Sequence, residues 1–509
     1  MNRNIRWTGA AMAAGLAVTA LAGTAAAQGR DTIKLAVWNM SPSLGNPHGG
    51  FARPYSYFWP AMFDALTQLD EKGNAAPMLA ERWESADGKT WRFTLKQGVK
   101  YHNGETFDAN AVKTAVDWLL SDEGKKMQLA GEINTLAGAT VISPSVIEIQ
   151  LKEVNALFAN QTSALRVPAP RHWTEMGMAA AARQPQGTGP FRVTEWGTND
   201  VKMVAFPDAM RKAKAKAFDI VIVTESPGRV QGLLSDQIDI ALNIGAESLP
   251  QVTAAGHQVI ASPGTGVRTM VMRALDDGKP LTPFADKRVR QAINYGVDRA
   301  AINEGIFAGK SGLVGQPATP TAFGFNPNVK AFPYDPAKAR ALLAEAGFPT
   351  GFKAKAEVLN TSQQYLTAYQ QIAADLAKIG VQMEMVSMTI PDLVGKLTKS
   401  RAWEGTAFDF DFETLPAADA LRLKTWHSCF NRFTPWHCFP EVQAKLEAAL
   451  TEPDLEKRRA RTMEMMEIYH DNPPGLYLLS ENDIDGVHKR IKGYRVVQRH
   501  VQYQDLEIR

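Results

Sequence analysis

Between Phe218 and Ala241 the chain changes its periodicity twice. Phe218 to Val223 is an apolar run of strand length, Gly228 to Leu234 opens a helix, and Ile238-Asp239-Ile240-Ala241 reads as a strand again. A strand–helix–strand rhythm of this kind belongs to α/β folds, in which helices cover a sheet. It recurs later: Asp335-Pro336 places an acidic cap and a proline at the start of a helix that stops at Gly347. Gln363 to Ile379 is then an amphipathic helix, followed by a strand over Val381 to Val386.

Other stretches add short elements. Asp31 to Trp38 reads as a strand, Asn39 to Pro47 as a loop, and Met62 to Leu69 as a helix. Leu79-Ala80-Glu81-Arg82-Trp83-Glu84 reads as the end of an amphipathic helix. Asp87-Gly88-Lys89 turns, Trp91 to Lys96 alternates apolar and polar as a half-buried strand does, and Val99 to His102 reads as a second short strand. Asp108 caps a helix, and Val141 to Leu151 forms a hairpin. Gly187 to Val193 is a turn entering a strand, and a helix begins at Lys287.

Residues 1–27 read as a leader rather than as part of the fold. Arg3 and Arg6 make a basic start, Ala10 to Gly23 is an apolar run too short to span a bilayer comfortably, and Ala25-Ala26-Ala27 fits a small-residue cleavage site. Cleavage is expected near Ala27, leaving a soluble exported protein; no Cys follows the site, so no lipid anchor is expected. With 56 basic residues against 53 acidic ones, two of the basic ones in the leader, there is no electrostatic case for nucleic acid. Roughly 480 mature residues exceed one hydrophobic core, so two or three domains are expected.

The only cysteines are Cys429 and Cys438. In an oxidising compartment their short spacing favours a disulfide, worth roughly 2.5 kcal/mol in the chain-entropy model. His427 and His437 flank them, but His-Cys neighbours do not easily share one metal tetrahedron.

Five phrases occur in order along the chain: LAERWE with the DGK turn and YHNG, then GTGPFRVTEW (187–196), GRVQGLLSDQIDIAL (228–242), FADKRVRQAINYGVDRAAI (284–302) and DPAKARALLAEAGF (335–348). Their wording and order resemble the family-5 solute-binding proteins of ABC importers, a group that includes dipeptide, oligopeptide and nickel binders. The resemblance implies a periplasmic protein with two α/β lobes that close by a hinge on a ligand, and an extra subdomain in lobe one. Lobe one is expected at 31–60, 186–272 and 482–509, the extra subdomain at 61–185, and lobe two at 273–481, with hinge strands near 270 and 482. The implied partners are a small-molecule or peptide ligand and an inner-membrane permease; the protein is expected to be a monomer with no cofactor or resident metal.

Within the resemblance, 403–439 is the segment that varies with the ligand. It holds nine aromatics where the chain's overall 9% would give about three. Rigid rings suit a ligand cleft, although they suit a core equally well. Phe408 to Glu413 alternates aromatic and acidic, so as a strand it puts three rings on one face and Asp409, Asp411 and Glu413 on the other. Such carboxylates either face solvent or meet a cation, which suggests recognition of a ligand ammonium group. Peptide binders in the family usually carry an Asp-Pro here; no Asp-Pro occurs between Arg401 and Leu421. Candidate ligand contacts are therefore Trp403, Asp409, Asp411, Glu413, Trp426, His427 and Trp436 from this segment, Asn39 and Tyr57 from lobe one, and Arg268, with Arg273, beside the hinge. Two alternatives remain open: a metal chelate such as a nickel complex, and a secreted hydrolase. For the latter the motifs are poor, since Gly305 to Ser311 falls one residue short of a phosphate loop and neither a G-x-S-x-G elbow nor H-E-x-x-H is present.

Overall fold

A computed structural model describes residues 31–276, 278–397, 402–422, 428–430 and 436–509. The expected leader, Trp426 and His427 lie outside the described residues. Among the described residues no helix is long and apolar enough to cross a membrane.

Three larger sheets organise the chain. A seven-stranded sheet runs in the order Gln258–Ser262, Asp483–Val487, Ile240–Ala241, Thr32–Val37, Ala217–Ile222, Asp200–Ala205, Phe191–Trp196. The sequence's strand–helix–strand unit is here: Ile240–Ala241 and Ala217–Ile222 both pair parallel to Thr32–Val37, and the helix Ser226–Leu234 crosses between them. A five-stranded sheet runs Val381–Met388, Phe352–Leu359, Ala407–Glu413, Gly266–Met272, Gly475–Ser480. The helices Lys287–Tyr295 and Gln363–Ala377 pack on it through Val289, Ile293, Ile372 and Leu376. A four-stranded sheet, Ala80–Glu84, Thr90–Leu95, Val146–Leu151, Leu136–Ser143, lies within the span 61–185.

Local chemistry explains most boundaries. Asp108, Asp335 and Ser362 accept hydrogen bonds from backbone N–H groups of the helices they precede, satisfying donors that have no partner within the helix. Gly88 has φ +68°, as the hairpin turn requires. Other expectations are corrected. Ala80–Glu84 is a strand, not a helix end, because Trp83 pairs with Phe93 across that hairpin; tertiary pairing overrides helix propensity. The helix near Met62 covers Trp59–Met62 and is followed by the strand Thr67–Leu69, where Thr67 pairs with Pro77. Val99 to His102 forms no strand beyond a single bridge, Lys100 with Thr106.

The chain passes between the seven- and five-stranded sheets twice, at 263–265 and at 481–482. The strand Gly266–Met272, expected in lobe one, pairs instead with Ala407–Glu413 and Gly475–Ser480, so the first crossing comes before it. The two crossings touch. Glu481 N–H donates to the Gly266 carbonyl at 3.0 Å and Gly264 N–H to Asn482 Oδ1 at 3.2 Å. A Cβ on Gly264 would stand 1.2 Å from the Glu481 carbonyl oxygen, so only glycine fits there.

Candidate functional site

The strand Ala407–Glu413 is central, not an edge, and both of its faces are covered. On the aromatic face Phe408 and Phe412 sink into a core with Val267, Val271, Leu359 and Tyr477. Trp403 stacks on Phe408 with ring centroids 4.2 Å apart, and Trp436, 2% exposed, meets Phe408 edge-on at 4.9 Å. The aromatic excess at Trp403 and Trp436 thus packs as core on the side away from the carboxylates.

The opposite face carries the charge. Asp409 is fully buried; its Oδ2 accepts from Leu359 N–H at 3.2 Å and its Oδ1 lies 3.4 Å from Arg268. Arg268 also reaches Glu481 at 3.1 Å and lies over the Tyr365 ring at 4.2 Å. Glu413 pairs with Arg499, and its Oε1 accepts from Thr414 and Leu415 N–H. Arg499 extends to Glu481 at 3.8 Å and Asp483 at 3.7 Å, while Arg53 binds Asp483 at 2.9 Å. Next to these, Tyr57 donates to Asn243 Oδ1 at 3.0 Å; Asn243 in turn donates to Asp483 from its side chain and to Asp485 from its backbone.

Among the described residues, four guanidiniums, Arg53, Arg268, Arg499 and Arg422 (itself paired with Glu132), therefore face six carboxylates: Asp409, Asp411, Glu413, Glu481, Asp483 and Asp485. The cluster spans both crossings, with residues from each sheet. Its excess negative charge is not spread evenly. Burial opposes ionisation of Glu481, but Arg268, Arg53 and Arg499 hold it below the ordinary carboxylate range. Asp485 is pushed up to about 7 by burial and by Asp483. Asp411 is pushed up by burial and by its neighbours Glu481 and Glu413. It is the member without a direct partner: its Oδ1 is sealed from solvent and accepts no hydrogen bond among the described residues. It pairs across the sheet with Arg268, and its carboxylate reaches diagonally over Gly266, where a Cβ would come within 2.3 Å of Oδ1.

Of the other candidates, Tyr57 is buried beside the cluster. Asn39 is exposed at the end of Thr32–Val37, with its Oδ1 accepting from Met40 N–H; its neighbour Trp38 is the one that meets Tyr57, edge-on, and Arg53. Arg273 pairs with Asp276 and lies over Trp403, outside the cluster. Sequence reading missed Arg53, Arg499, Glu481, Asp483 and Asp485. A signal existed: Glu481, Asp483 and Asp485 alternate as Asp409, Asp411 and Glu413 do, and two acidic stripes of that form need cations between them.

Cys429 and Cys438 form a disulfide, with Cα atoms 4.7 Å apart. Denatured, unreduced, metal-free protein is therefore expected to titrate no free thiol, and Cys429→Ser with Cys438→Ser to lose roughly 2.5 kcal/mol of stability in urea. Two thiols in the native protein would overturn the pairing. His437 is buried with its ring 4.5 Å from Phe439. Among the described residues, Asp236, His257 and His488 bring potential metal-ligating atoms within 4.8 Å of one another. Yet Nδ1 of His488 faces Arg490 N–H at 3.1 Å and Nδ1 of His257 faces Lys489 N–H at 3.3 Å. Accepting those bonds leaves the proton on each Nε2, the nitrogen a metal would need, so the group suits a hydrogen-bonded edge better than a cation. Gly305 to Ser311 begins inside the last turn of the helix Arg299–Phe307 and runs past its C-terminal end, so it is not the strand-to-helix turn a phosphate loop requires.

Comparison with known proteins fits this architecture. Over 462 residues the chain is 27% identical to the glutathione-binding protein GsiB of Salmonella typhimurium, covering 86% of each. Among solved structures it resembles the periplasmic binding protein DppA of Helicobacter pylori in complex with the peptide STSA, at TM-score 0.75 and 20% identity over 94% of this chain and 98% of that one. It resembles NikZ of Campylobacter jejuni in complex with Ni(L-His) equally, at TM-score 0.75 and 20% identity over 94% and 99%. The fold is that of the two-lobed periplasmic binding proteins. The pattern defining the middle part of the bacterial extracellular solute-binding proteins, family 5, matches residues 74–413. The chain belongs to that family, the solute-binding components of ABC importers.

Proposed function

We propose that this protein is exported to the periplasm, loses its leader near Ala27, and captures a peptide or amine-bearing organic solute between its lobes. As a monomer it delivers the closed complex to an inner-membrane permease, without chemistry of its own. The observation that carries the choice of solute is Asp411, a carboxylate on the charged face with a sealed oxygen that, among the described residues, has no direct partner and sits in a cluster with more acids than bases. A ligand ammonium placed there gains a charge-assisted hydrogen bond and relieves the repulsion from Glu481 and Glu413. Arg268 or Arg53 is available to exchange a protein carboxylate for one on the ligand. GsiB relatives named for glutathione and a DppA neighbour holding STSA agree with this class of solute. The NikZ neighbour keeps a metal chelate as the second reading.

We assign the seven-stranded sheet and its helices to lobe one, the span 61–185 to its extra subdomain, and the five-stranded sheet, from Gly266 onward, to lobe two. The touching crossings at 263–265 and 481–482 serve as the hinge. A ligand favours closure only through better contacts with the closed form than with the open one. Mass spectrometry of solute released from purified, denatured protein is expected to yield a peptide or amine. A nickel chelate instead would favour the second reading. With that solute at saturation, small-angle scattering is expected to show a smaller radius of gyration than for the stripped protein. An unchanged radius, with binding confirmed by calorimetry, would remove the closure mechanism.

A further inference from the structure

Away from the charged cluster, Arg166 is 3% exposed and meets no carboxylate within ion-pair distance among the described residues. Its hydrogen bonds go to the Ala164 carbonyl at 3.3 Å and to His500 Nε2 at 3.2 Å. Other buried arginines without a carboxylate are treated differently. Arg229 donates to the carbonyls of Leu242, Val223, Thr224 and Asn243. Arg290 and Arg299 likewise find four acceptors each. A guanidinium carries five N–H donors, and Arg166 satisfies two of them through a carbonyl and an imidazole.

Arg166 borders a cavity of about 30 Å³, together with Arg211, His500, Thr67 and Ser163. Arg211 is the second guanidinium there, and Asp64 neutralises it at 2.6 Å. His500 adds no negative charge; burial, with Arg166 and Arg211, keeps its imidazole neutral, at about 3. The site therefore holds two cations and one anion. Burial and Arg211 press Arg166 down to about 9, yet a guanidinium does not give up its proton in a protein. The remaining ways to relieve a buried, under-bonded cation are water and a counter-ion. The volume suits one small ion and excludes a peptide. The cavity shares Gln68, Leu69, Arg211, Val497 and Gln502 with a groove at the surface, lined also by Asp70, Glu71, Lys72 and Arg495, so a small ion has a route inward past charges of both signs.

We propose that the cavity beside Arg166 binds a small inorganic anion of halide size. The site joins the extra subdomain, through Arg166 and Ser163, to lobe one, through Arg211 and His500. It lies beneath the turn that carries Arg499, the neighbour of His500, to Glu413.

Crystals of the full mature protein grown with bromide test this directly. An anomalous peak within hydrogen-bond reach of the Arg166 guanidinium is expected, and peaks confined to the surface, or water alone in the cavity, would overturn the proposal. In solution, ³⁵Cl resonance broadening by the protein is expected to fall at least twofold in Arg166→Gln and to persist in Arg166→Lys, which keeps the charge. Equal broadening in folded wild type and Arg166→Gln would also overturn it. Should Arg166→Gln fail to fold, the bromide map of the wild-type protein still decides.

Discussion

Arg268→Met is expected to lower the stability of the ligand-free protein by about 3–5 kcal/mol, the cost of breaking a buried ion pair from one side. Arg268 lies between Asp409 at 3.4 Å and Glu481 at 3.1 Å, so its removal leaves two carboxylates facing each other without the cation that separates them. Asp409 is fully buried and accepts a backbone hydrogen bond from Leu359 N–H. Glu481 owes its lowered value first to Arg268 among the cations around it. Methionine retains the length of the apolar stem over Tyr365, so the loss measures charge more than packing. Urea unfolding at neutral pH checks the magnitude. Arg268→Met with Asp409→Asn is expected to recover part of the loss, because the double variant removes one of the orphaned charges; no recovery would show that the two do not act as a pair. A loss below about 1 kcal/mol would place Arg268 in the same regime as an exposed surface pair and undo the description of the cluster as a buried network.

How much of this was legible in the sequence can be judged from that network. The alternation Phe408 to Glu413 predicted a strand with rings and acids on opposite faces, and Ala407–Glu413 is such a strand. What alternation could not tell was which neighbours cover the acidic face. Arg268 comes from a strand paired in the same sheet, but Arg53 comes from a loop far earlier in the chain and Arg499 from a turn 86 residues beyond Glu413. Sequence spacing carries no information about such meetings; only the two crossings, which bring 263–265 beside 481–482, produce them. The aromatic excess had the opposite fate. Trp403 and Trp436 are enriched for a reason visible only in three dimensions, because a central strand must bury its ring-bearing face too. Composition could not separate a cleft wall from the core behind it. The helix assigned at LAERWE failed because its partner strand lies just beyond the Gly88 turn, and pairing outweighs local propensity.

Asp411→Asn separates binding from stability in the opposite way. If Asp411 anchors a ligand ammonium, the variant is expected to weaken that solute by roughly a hundredfold, on the order of 3 kcal/mol, because the ligand cation loses its buried counter-charge. The free protein should be as stable as wild type or more so. In the wild type Asp411 is raised by burial and by Glu481 and Glu413, so the folded state holds a proton that the unfolded state releases. Stability from this group is therefore greatest in acid and declines as pH rises from the ordinary carboxylate range through the raised value; asparagine removes that decline. Binding of a cation should pull Asp411 back toward ionisation and expel the proton, which calorimetry in buffers of different ionisation enthalpy detects. Proton release by the wild type and none by Asp411→Asn would tie the anchor to this one carboxylate. The solute recovered from the native protein is the ligand of choice, with a peptide panel that includes glutathione as the starting set, since the GsiB relatives are named for it. Unchanged affinity in a normally folded Asp411→Asn would move the ammonium site elsewhere in the cluster. Asp485, raised to about 7 by burial and Asp483, would then be the next carboxylate to test, although Tyr494 and Asn243 already donate to it and leave it less to gain from a ligand.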